Sequence, residues 1–165
     1  MIKKGFKQVG KDFPVFLHPN TNEEYALARK DRKTGVGHKD FQFNFSPNVT
    51  LEEDLERRDL TINSMALDEN GNLIDPFNGA KDIENKCFRP VSQAFFEDPL
   101  RALRVARFKA QFPEFFLHES MEQALFKISA SNELLNLSSE RVWGEVVKGL
   151  ELSLIHISEP TRLTS

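Results

Sequence analysis

The chain has 165 residues, 39% of them hydrophobic, which suffices for one globular domain or two small ones and excludes a large multidomain protein. Its 22 basic and 25 acidic residues give a formal net charge of −3, so no overall positive field attracts a polyanion and any nucleic-acid site must be local. The single cysteine, Cys87, excludes an intramolecular disulfide framework and a cysteine-rich zinc site. We therefore expect a cytoplasmic protein without a membrane segment, in which Cys87 is a buried small apolar side chain.

The first half of the chain predicts an α+β fold. Strands are expected at residues 6–9, 15–18, 25–29, 41–45, 72–74 and 88–91. The polar, glycine-containing segment 31–40 predicts either a loop near a site or a solvent-exposed hairpin. Thr50 should begin a helix, because Glu53 stands where a capping box requires it, and a second short helix should cover residues 61–67. A turn at residues 68–72 then predicts a hairpin.

Beyond residue 91 the apolar pattern is helical. Asp98 followed by proline is a strong helix start, and periodic apolar residues continue to Phe112. Two further amphipathic helices are predicted at residues 118–129 and 139–150. We place a domain boundary near residue 92, which separates residues 1–91 from a helical region at 92–151.

The last fourteen residues, 152–165, have a different character. They resemble an in-frame translation of a transposase adapter used in DNA-sequencing libraries. We expect this tail to be non-native and exclude it from the fold.

A first group of charged residues occurs at residues 57–63. Arg57 and Arg58 lie at a predicted helix end and are followed by Asp59, with Asn63 four residues further along. A solvent-exposed charged surface is the ordinary explanation for two adjacent arginines. Because guanidinium groups bind phosphate oxygens bidentately, the functional alternative is a triphosphate clamp that Asp59 and Asn63 hold in place.

A second group lies on the helix that starts after Asp98. Asp98, Arg101 and Arg104 are spaced by three residues and form one stripe, with Arg107 one turn further along. We expect the opposing stripe of Leu103, Ala106 and Ala110 to be buried. The charged stripe could be an exposed face with an ion pair. It could equally bind a nucleotide, because an Asp acceptor beside an Arg donor can hydrogen-bond to the Watson–Crick edge of cytosine or adenine.

Five segments, in this order and at this spacing, resemble those of a known protein family. They are residues 13–19, 24–29, 57–63, 75–79 and 97–101. Together they strongly resemble the bacterial class II CCA-adding tRNA nucleotidyltransferases, over about residues 5–151. The resemblance implies part of a nucleotidyltransferase head, with an antiparallel or mixed sheet and helices, up to residue 91, and an all-α neck at residues 92–151.

The resemblance also implies roles for individual residues. The family's nucleotide-binding arginines correspond to Arg58, Arg104 and Arg107. Its protein template, which reads the incoming base, corresponds to Glu97, Asp98 and Arg101. The resemblance also implies supporting positions at Arg57, Asp59, Asn63, Asp75, Gly79, Glu140 and Arg141. Of these, Asp75 to Gly79 matches a flexible segment between head and neck. A neck-helix motif that steadies the template is matched by Glu140 and Arg141. The implied substrates are ATP, CTP and the tRNA 3′ end, with Mg²⁺ as the metal.

The sequence departs from the family in one important respect. The family's head contains an Asp-x-Asp pair that binds two catalytic Mg²⁺ ions, and no such pair occurs among the nine aspartates of this chain. Phosphoryl transfer by two metals requires those carboxylates. We therefore expect a fragment, truncated at both ends, of an enzyme that adds CCA to tRNA, and we expect the fragment itself to be inactive. The alternatives are a bacterial poly(A) polymerase of the same superfamily and a non-catalytic nucleotide- or RNA-binding module.

Overall fold

The computed structural model describes residues 5–9, 15–28, 30–33, 41–44 and 48–158, with the side chains of 30–33, 41–44 and 152–158 outside the description. Backbone contacts divide the chain into two units. The first comprises residues 1–36 and 40–55, and the second comprises residues 37–39 and 56–165. The boundary expected near residue 92 refers to the head and neck of the family and stays a prediction.

Short antiparallel strands dominate the first unit. Strands β1 (Lys7–Val9), β2 (Val15–Leu17) and β3 (Glu24–Tyr25) form one sheet, and β4 (Lys30–Lys33) pairs with β5 (Phe41–Asn44). The strand expected at residues 25–29 is wrong in extent, because β3 ends at Tyr25. The start of the polar segment 31–40 belongs to β4, which favours the hairpin alternative, while residues 34–40 lie outside the described residues.

Helix α1 (Leu51–Glu56) begins as the capping-box pattern predicts. The backbone N–H of Glu53 donates to the Thr50 hydroxyl at 3.2 Å, and the backbone N–H of Thr50 donates to the Glu53 carboxylate at 3.1 Å. Two N–H groups that the helix cannot satisfy internally thus find acceptors in local side chains.

The helix expected at residues 61–67 is wrong. Only Thr61–Asn63 is helical, as a single 3₁₀ turn, and residues 66–67 form strand β6. Tertiary contacts override the local preference at this point: the Thr61 hydroxyl donates to Asp82 at 2.7 Å and the Thr61 backbone N–H donates to the carbonyl of Arg89 at 3.1 Å. The predicted hairpin is confirmed, since β6 (Ala66–Leu67) pairs antiparallel with β7 (Leu73–Ile74).

A short helix, α2 (Gly79–Glu84), follows the hairpin and was not predicted. Both carboxylate oxygens of Asp75 accept backbone N–H groups of its first turn, from Gly79 at 2.7 Å and from Ala80 at 2.9 Å. Strand β8 (Cys87–Phe88) then pairs in parallel with β9 (Phe116–Leu117), a strand inside the region expected to be all helical. The α+β class is confirmed with this local difference.

Three longer helices complete the second unit. They are α3 (Leu100–Gln111), α4 (Glu119–Ala130) and α5 (Ser139–Ser158), and all three were predicted. Helix α5 continues past residue 150 into the segment 152–165, whose non-native origin stays a prediction. None of the helices in the described part of the chain combines the length and apolar composition that crossing a membrane requires.

The core of the second unit lies between α3, α4 and β8. Its buried residues are Leu60, Phe88, Phe95, Val105, Phe115, Met121, Ala124 and Ile128. Cys87 is buried too, as predicted.

The predicted burial of the stripe formed by Leu103, Ala106 and Ala110 is wrong, because both alanines are exposed and Leu103 is only half-buried. The face of α3 that carries the arginines points inward, since buried carboxylates pair with them, and the alanine face therefore points to solvent.

Gly79 occupies a position where a side chain has no room. An added Cβ would lie within 3.0 Å of the Thr61 carbonyl oxygen and of the Met65 side chain. We expect Gly79→Ala to lower the free energy of unfolding by about 1–3 kcal/mol, as overpacking does. Gly144→Ala is the matched control, because Gly144 lies inside α5 with open space around it and should gain up to about 1 kcal/mol of helix propensity. Urea titration of both variants measures the difference, and equal effects would contradict the steric explanation.

Candidate functional site

Arg101 joins the two charged groups that the sequence separates by some forty residues. Its Nη1 donates to the carbonyl of Ala94 at 2.8 Å and to that of Arg58 at 3.3 Å, and its Nη2 donates to the carbonyl of Arg57 at 2.6 Å. Burial lowers the pKa of Arg101 below its ordinary value, while the carboxylates of Asp59 and Asp98 act in the opposite direction. The start of α3 is therefore attached directly to the double-arginine segment.

Asp59 forms the second link between this segment and α3. Its buried carboxylate accepts a hydrogen bond from Nε of Arg104 at 2.7 Å, from the Asn63 amide at 3.2 Å and from the backbone N–H of Leu60 at 2.9 Å. Burial raises the pKa of Asp59, but the charge of Arg104 and these hydrogen bonds outweigh it, so the pKa lies below its ordinary value of 3.8. Asp59 is thus held as an anion beside the arginine.

Arg58 is exposed on the same segment. Its Nη1 donates to the backbone carbonyl of Asn63 at 2.9 Å, so Asn63 contacts Arg58 through its carbonyl and Asp59 through its side chain. The Asp59 side chain contacts Arg104 and the Asn63 carbonyl contacts Arg58, and the expectation that Asp59 and Asn63 hold an Arg57–Arg58 clamp in place stays a prediction. The roles of these residues toward a ligand stay predictions.

Asp98 accepts hydrogen bonds at the start of α3. One oxygen accepts the backbone N–H of Leu100 at 3.1 Å, and the other accepts Nη2 of Arg141 from α5 at 2.7 Å. Glu97 is half-buried at the end of the 3₁₀ helix Gln93–Glu97, and Glu140 is exposed in the first turn of α5. The predicted template residues therefore lie side by side, with Arg141 as the contact from α5.

Glu145 contacts the arginines of α3 and was missed by the sequence analysis. It lies on α5 with its side chain only 7% exposed, and it accepts a hydrogen bond from Nε of Arg107 at 2.7 Å. Arg104 Nη1 lies 3.7 Å and Lys148 Nζ 3.6 Å from its other oxygen. Arg141 and Glu145 are four residues apart and share a helix face, but this spacing does not reveal that Glu145 is buried.

Phe108 was also missed, because its sequence position predicts only a core residue. The guanidinium carbon of Arg107 lies 4.4 Å from the centre of the Phe108 ring, and that of Arg104 lies 5.8 Å from it. Both distances are within the range of cation–π attraction. The ring thus provides a surface for both guanidinium groups.

Asp75 and Gly79 are placed elsewhere in the second unit, at the start of α2. Asp75 caps that helix, and Gly79 allows its close approach to the 3₁₀ turn at Thr61. Both residues therefore have local structural functions in this fold.

The carboxylates of the site do not form a metal centre. Within the described ranges, no group of three or more His, Cys, Asp or Glu side chains is arranged to hold a metal ion. Three acids near α3 are each engaged by an arginine: Asp59 by Arg104, Asp98 by Arg141 and Glu145 by Arg107. The residues present do not fit the pair of Mg²⁺ ions implied by the family resemblance, and we assign no step through a metal to them.

Comparison with known proteins agrees with this arrangement. A family model described as the poly A polymerase head domain matches residues 4–89. A multifunctional CCA protein from Pseudoalteromonas atlantica is 58% identical over 152 residues, which are 91% of this chain and 38% of that relative. The chain thus spans less than two fifths of the length of this curated relative.

Solved structures give the same result. The Bacillus stearothermophilus CCA-adding enzyme in complex with CTP matches with a TM-score of 0.67 and 32% identity, over 88% of this chain and 34% of that one. A tRNA nucleotidyltransferase complexed with a primer tRNA and an incoming ATP analog matches with a TM-score of 0.66 and 28% identity, over 94% and 46% of the two chains. The resemblance stated from the motifs is therefore confirmed, and the chain belongs to the poly A polymerase head-domain family.

Proposed function

We propose that this chain is the nucleotide-recognition part of a tRNA nucleotidyltransferase that adds C, C and A to tRNA 3′ ends from CTP and ATP. The observation that carries the proposal is the attachment of α3 to residues 57–63 through Arg101 and through the Arg104–Asp59 pair. It holds Arg101 and Arg104 against residues 57–63, which supports assigning phosphate binding and base reading to one site. Similarity to a CCA-adding enzyme that binds CTP and to a nucleotidyltransferase that binds tRNA supports the choice of substrates.

Two sets of side chains have different functions in this proposal. Arg58, Arg104 and Arg107 bind the triphosphate, because guanidinium groups match phosphate oxygens in geometry and charge. Asp98 and Arg101 read the base, with Glu97 beside them. Phosphates carry no base identity, so only the second set selects among nucleotides.

The chemistry of Asp98 and Arg101 explains a choice of C and A. Cytosine and adenine both present an exocyclic amine next to a ring nitrogen acceptor, whereas uracil and guanine present a carbonyl at the corresponding position. Asp98 accepts from the amine and Arg101 donates to the acceptor. Without nucleotide these groups contact Arg141 and backbone carbonyls, so binding exchanges existing partners for the base.

Transfer of the nucleotide requires more than this site. A pair of metal ions supplies activation of the attacking 3′-hydroxyl and neutralisation of the triphosphate. The chain contains no Asp-x-Asp pair to hold them. We therefore assign nucleotide binding and base selection to this chain, and no catalytic residue.

A bacterial poly(A) polymerase is the second candidate function. The family model that matches residues 4–89 is described by that activity. Such an enzyme would select A over C, whereas the CCA-adding reaction needs both. A nucleotide-binding module without any catalytic partner is the remaining alternative. Nucleotide selectivity separates the first two functions.

We predict that the chain binds CTP and ATP more tightly than UTP and GTP, and that Asp98→Ser reduces this preference. Serine replaces the carboxylate oxygen that accepts the Leu100 N–H with a hydroxyl oxygen that can accept it too, so the helix start should survive the change. A lost bidentate base contact is worth about 1–3 kcal/mol, which corresponds to a reduction in preference of roughly 5- to 150-fold. Competition binding with the four triphosphates gives the ranking.

The comparison variant is Arg104→Ala, which should weaken all four nucleotides alike. A preference for ATP alone would support the poly(A) polymerase. An unchanged ranking in Asp98→Ser, together with a changed ranking in Arg104→Ala, would refute the assigned roles.

We further predict that the purified chain incorporates neither CMP nor AMP into tRNA that lacks its 3′ end, with Mg²⁺, CTP and ATP supplied. The reason is the missing pair of metal-binding aspartates. The assay measures extension of labelled tRNA, with a complete CCA-adding enzyme as positive control. Robust extension by the chain would show that its own residues hold the metals.

A further inference from the structure

Glu145 is surrounded by three cations although it is almost completely buried. Arg107, Arg104 and Lys148 approach its two oxygens at 2.7, 3.7 and 3.6 Å. Burying a carboxylate is costly unless charged partners compensate it. Among these three side chains Arg107 is the best buried, with 15% exposure, and it alone makes a hydrogen bond of normal length to Glu145.

What a guanidinium group can bind depends on which of its edges is already hydrogen-bonded. Glu145 takes Nε of Arg107, and Asp59 takes Nε of Arg104, so each carboxylate holds its arginine by the inner edge. Within the described residues, the Nη groups of Arg107 make no hydrogen bond. A guanidinium held at Nε still presents its two Nη groups as a fork that matches phosphate oxygens.

Phe108 restricts the same guanidinium groups in a second direction. The centre of its ring lies 4.4 Å from the guanidinium carbon of Arg107 and 5.8 Å from that of Arg104, so the ring packs against both groups and limits their movement toward it. Arg107 is thus constrained at one edge by a carboxylate and on one face by a ring. Ordering a free arginine on binding a ligand costs side-chain entropy, and a constrained one avoids most of that cost.

We propose that Glu145 is a positioning residue for the triphosphate: it holds Nε of Arg107, so that both Nη groups of this arginine stay available to the phosphates. The proposal rests on the proposed function, because it deepens the role of Arg107. A carboxylate also repels phosphate, but the two carboxylates, Glu145 and Asp59, are outnumbered by the three cations Arg104, Arg107 and Lys148, so the surroundings stay positive. Preorganisation therefore outweighs repulsion.

Inorganic tripolyphosphate is the probe, because it has no base and tests the phosphate contacts alone. We expect Glu145→Gln to weaken its binding to the chain by about tenfold, within the range of coupling energies between contacting residues. Glu151→Gln is the matched control, since it removes the same charge from an exposed position on the same helix and should leave binding unchanged. Titration calorimetry measures binding, and thermal unfolding confirms that each variant is folded.

A double-mutant cycle separates positioning from a general structural role. In an Arg107→Ala background, Glu145→Gln should change tripolyphosphate binding by less than twofold, because its partner is absent. Equal losses in both backgrounds, or tighter binding by Glu145→Gln, overturn the proposal. If Glu145→Gln does not fold, Glu145→Asp replaces it. The shorter side chain keeps the negative charge but moves it away from Nε of Arg107. Undiminished binding of tripolyphosphate by Glu145→Asp overturns the proposal.

The outcomes also separate this inference from the proposed function. Selective binding of CTP and ATP that is unaffected by Glu145→Gln refutes the positioning role and leaves the proposed function standing. Tripolyphosphate binding that depends on Glu145 without selection among the four nucleotides supports the positioning role and refutes the base-reading assignment. Failure of the unmodified chain to bind any of these probes overturns both.

Discussion

Buried carboxylates hold the arginine-bearing face of α3 against its neighbours. Asp59 and Glu145 have side chains only 6% and 7% exposed, and each accepts the Nε hydrogen bond of an arginine on α3 at 2.7 Å. Removing one partner of such a pair leaves a buried charge uncompensated, at a cost of about 3–5 kcal/mol. The arrangement of residues 57–63, α3 and α5 therefore depends on acids and arginines that require each other.

A second polar network fixes the same segment from its other side. Asp82 on α2 accepts the Thr61 hydroxyl at 2.7 Å and Nε of Arg89 at 3.0 Å, and Arg89 Nη1 lies 2.9 Å from Nε2 of His118. His118 in turn caps α4. The double-arginine segment thus lies between two networks of hydrogen-bonded charges, which explains why so short a stretch with a single 3₁₀ turn has a defined conformation.

The existing contacts of these side chains affect how a nucleotide would bind in the proposed site. Asp98 and Arg101 already have protein partners, and Arg104 and Arg107 have carboxylates at Nε. In the proposed function, a ligand exchanges one set of partners for another at the base and adds contacts at the phosphates. Such an exchange contributes little net affinity but penalises a base that cannot replace the lost hydrogen bonds, so the proposed base contacts would serve selection while the proposed phosphate contacts would supply affinity.

The sequence by itself determined the α+β class, the capped start of α1, the hairpin after Leu67 and the three long helices, because capping, turn chemistry and apolar period are local properties. It also determined which motifs carry the family resemblance. It did not determine the 3₁₀ turn at Thr61, the parallel pairing of β8 with β9, or which face of α3 is buried. These depend on contacts with residues distant in sequence, and an arginine stripe indicates an exposed face until buried acids such as Asp59 and Glu145 are known to oppose it. Only the tertiary structure decides this, because burial of a charge depends on partners that local sequence does not contain.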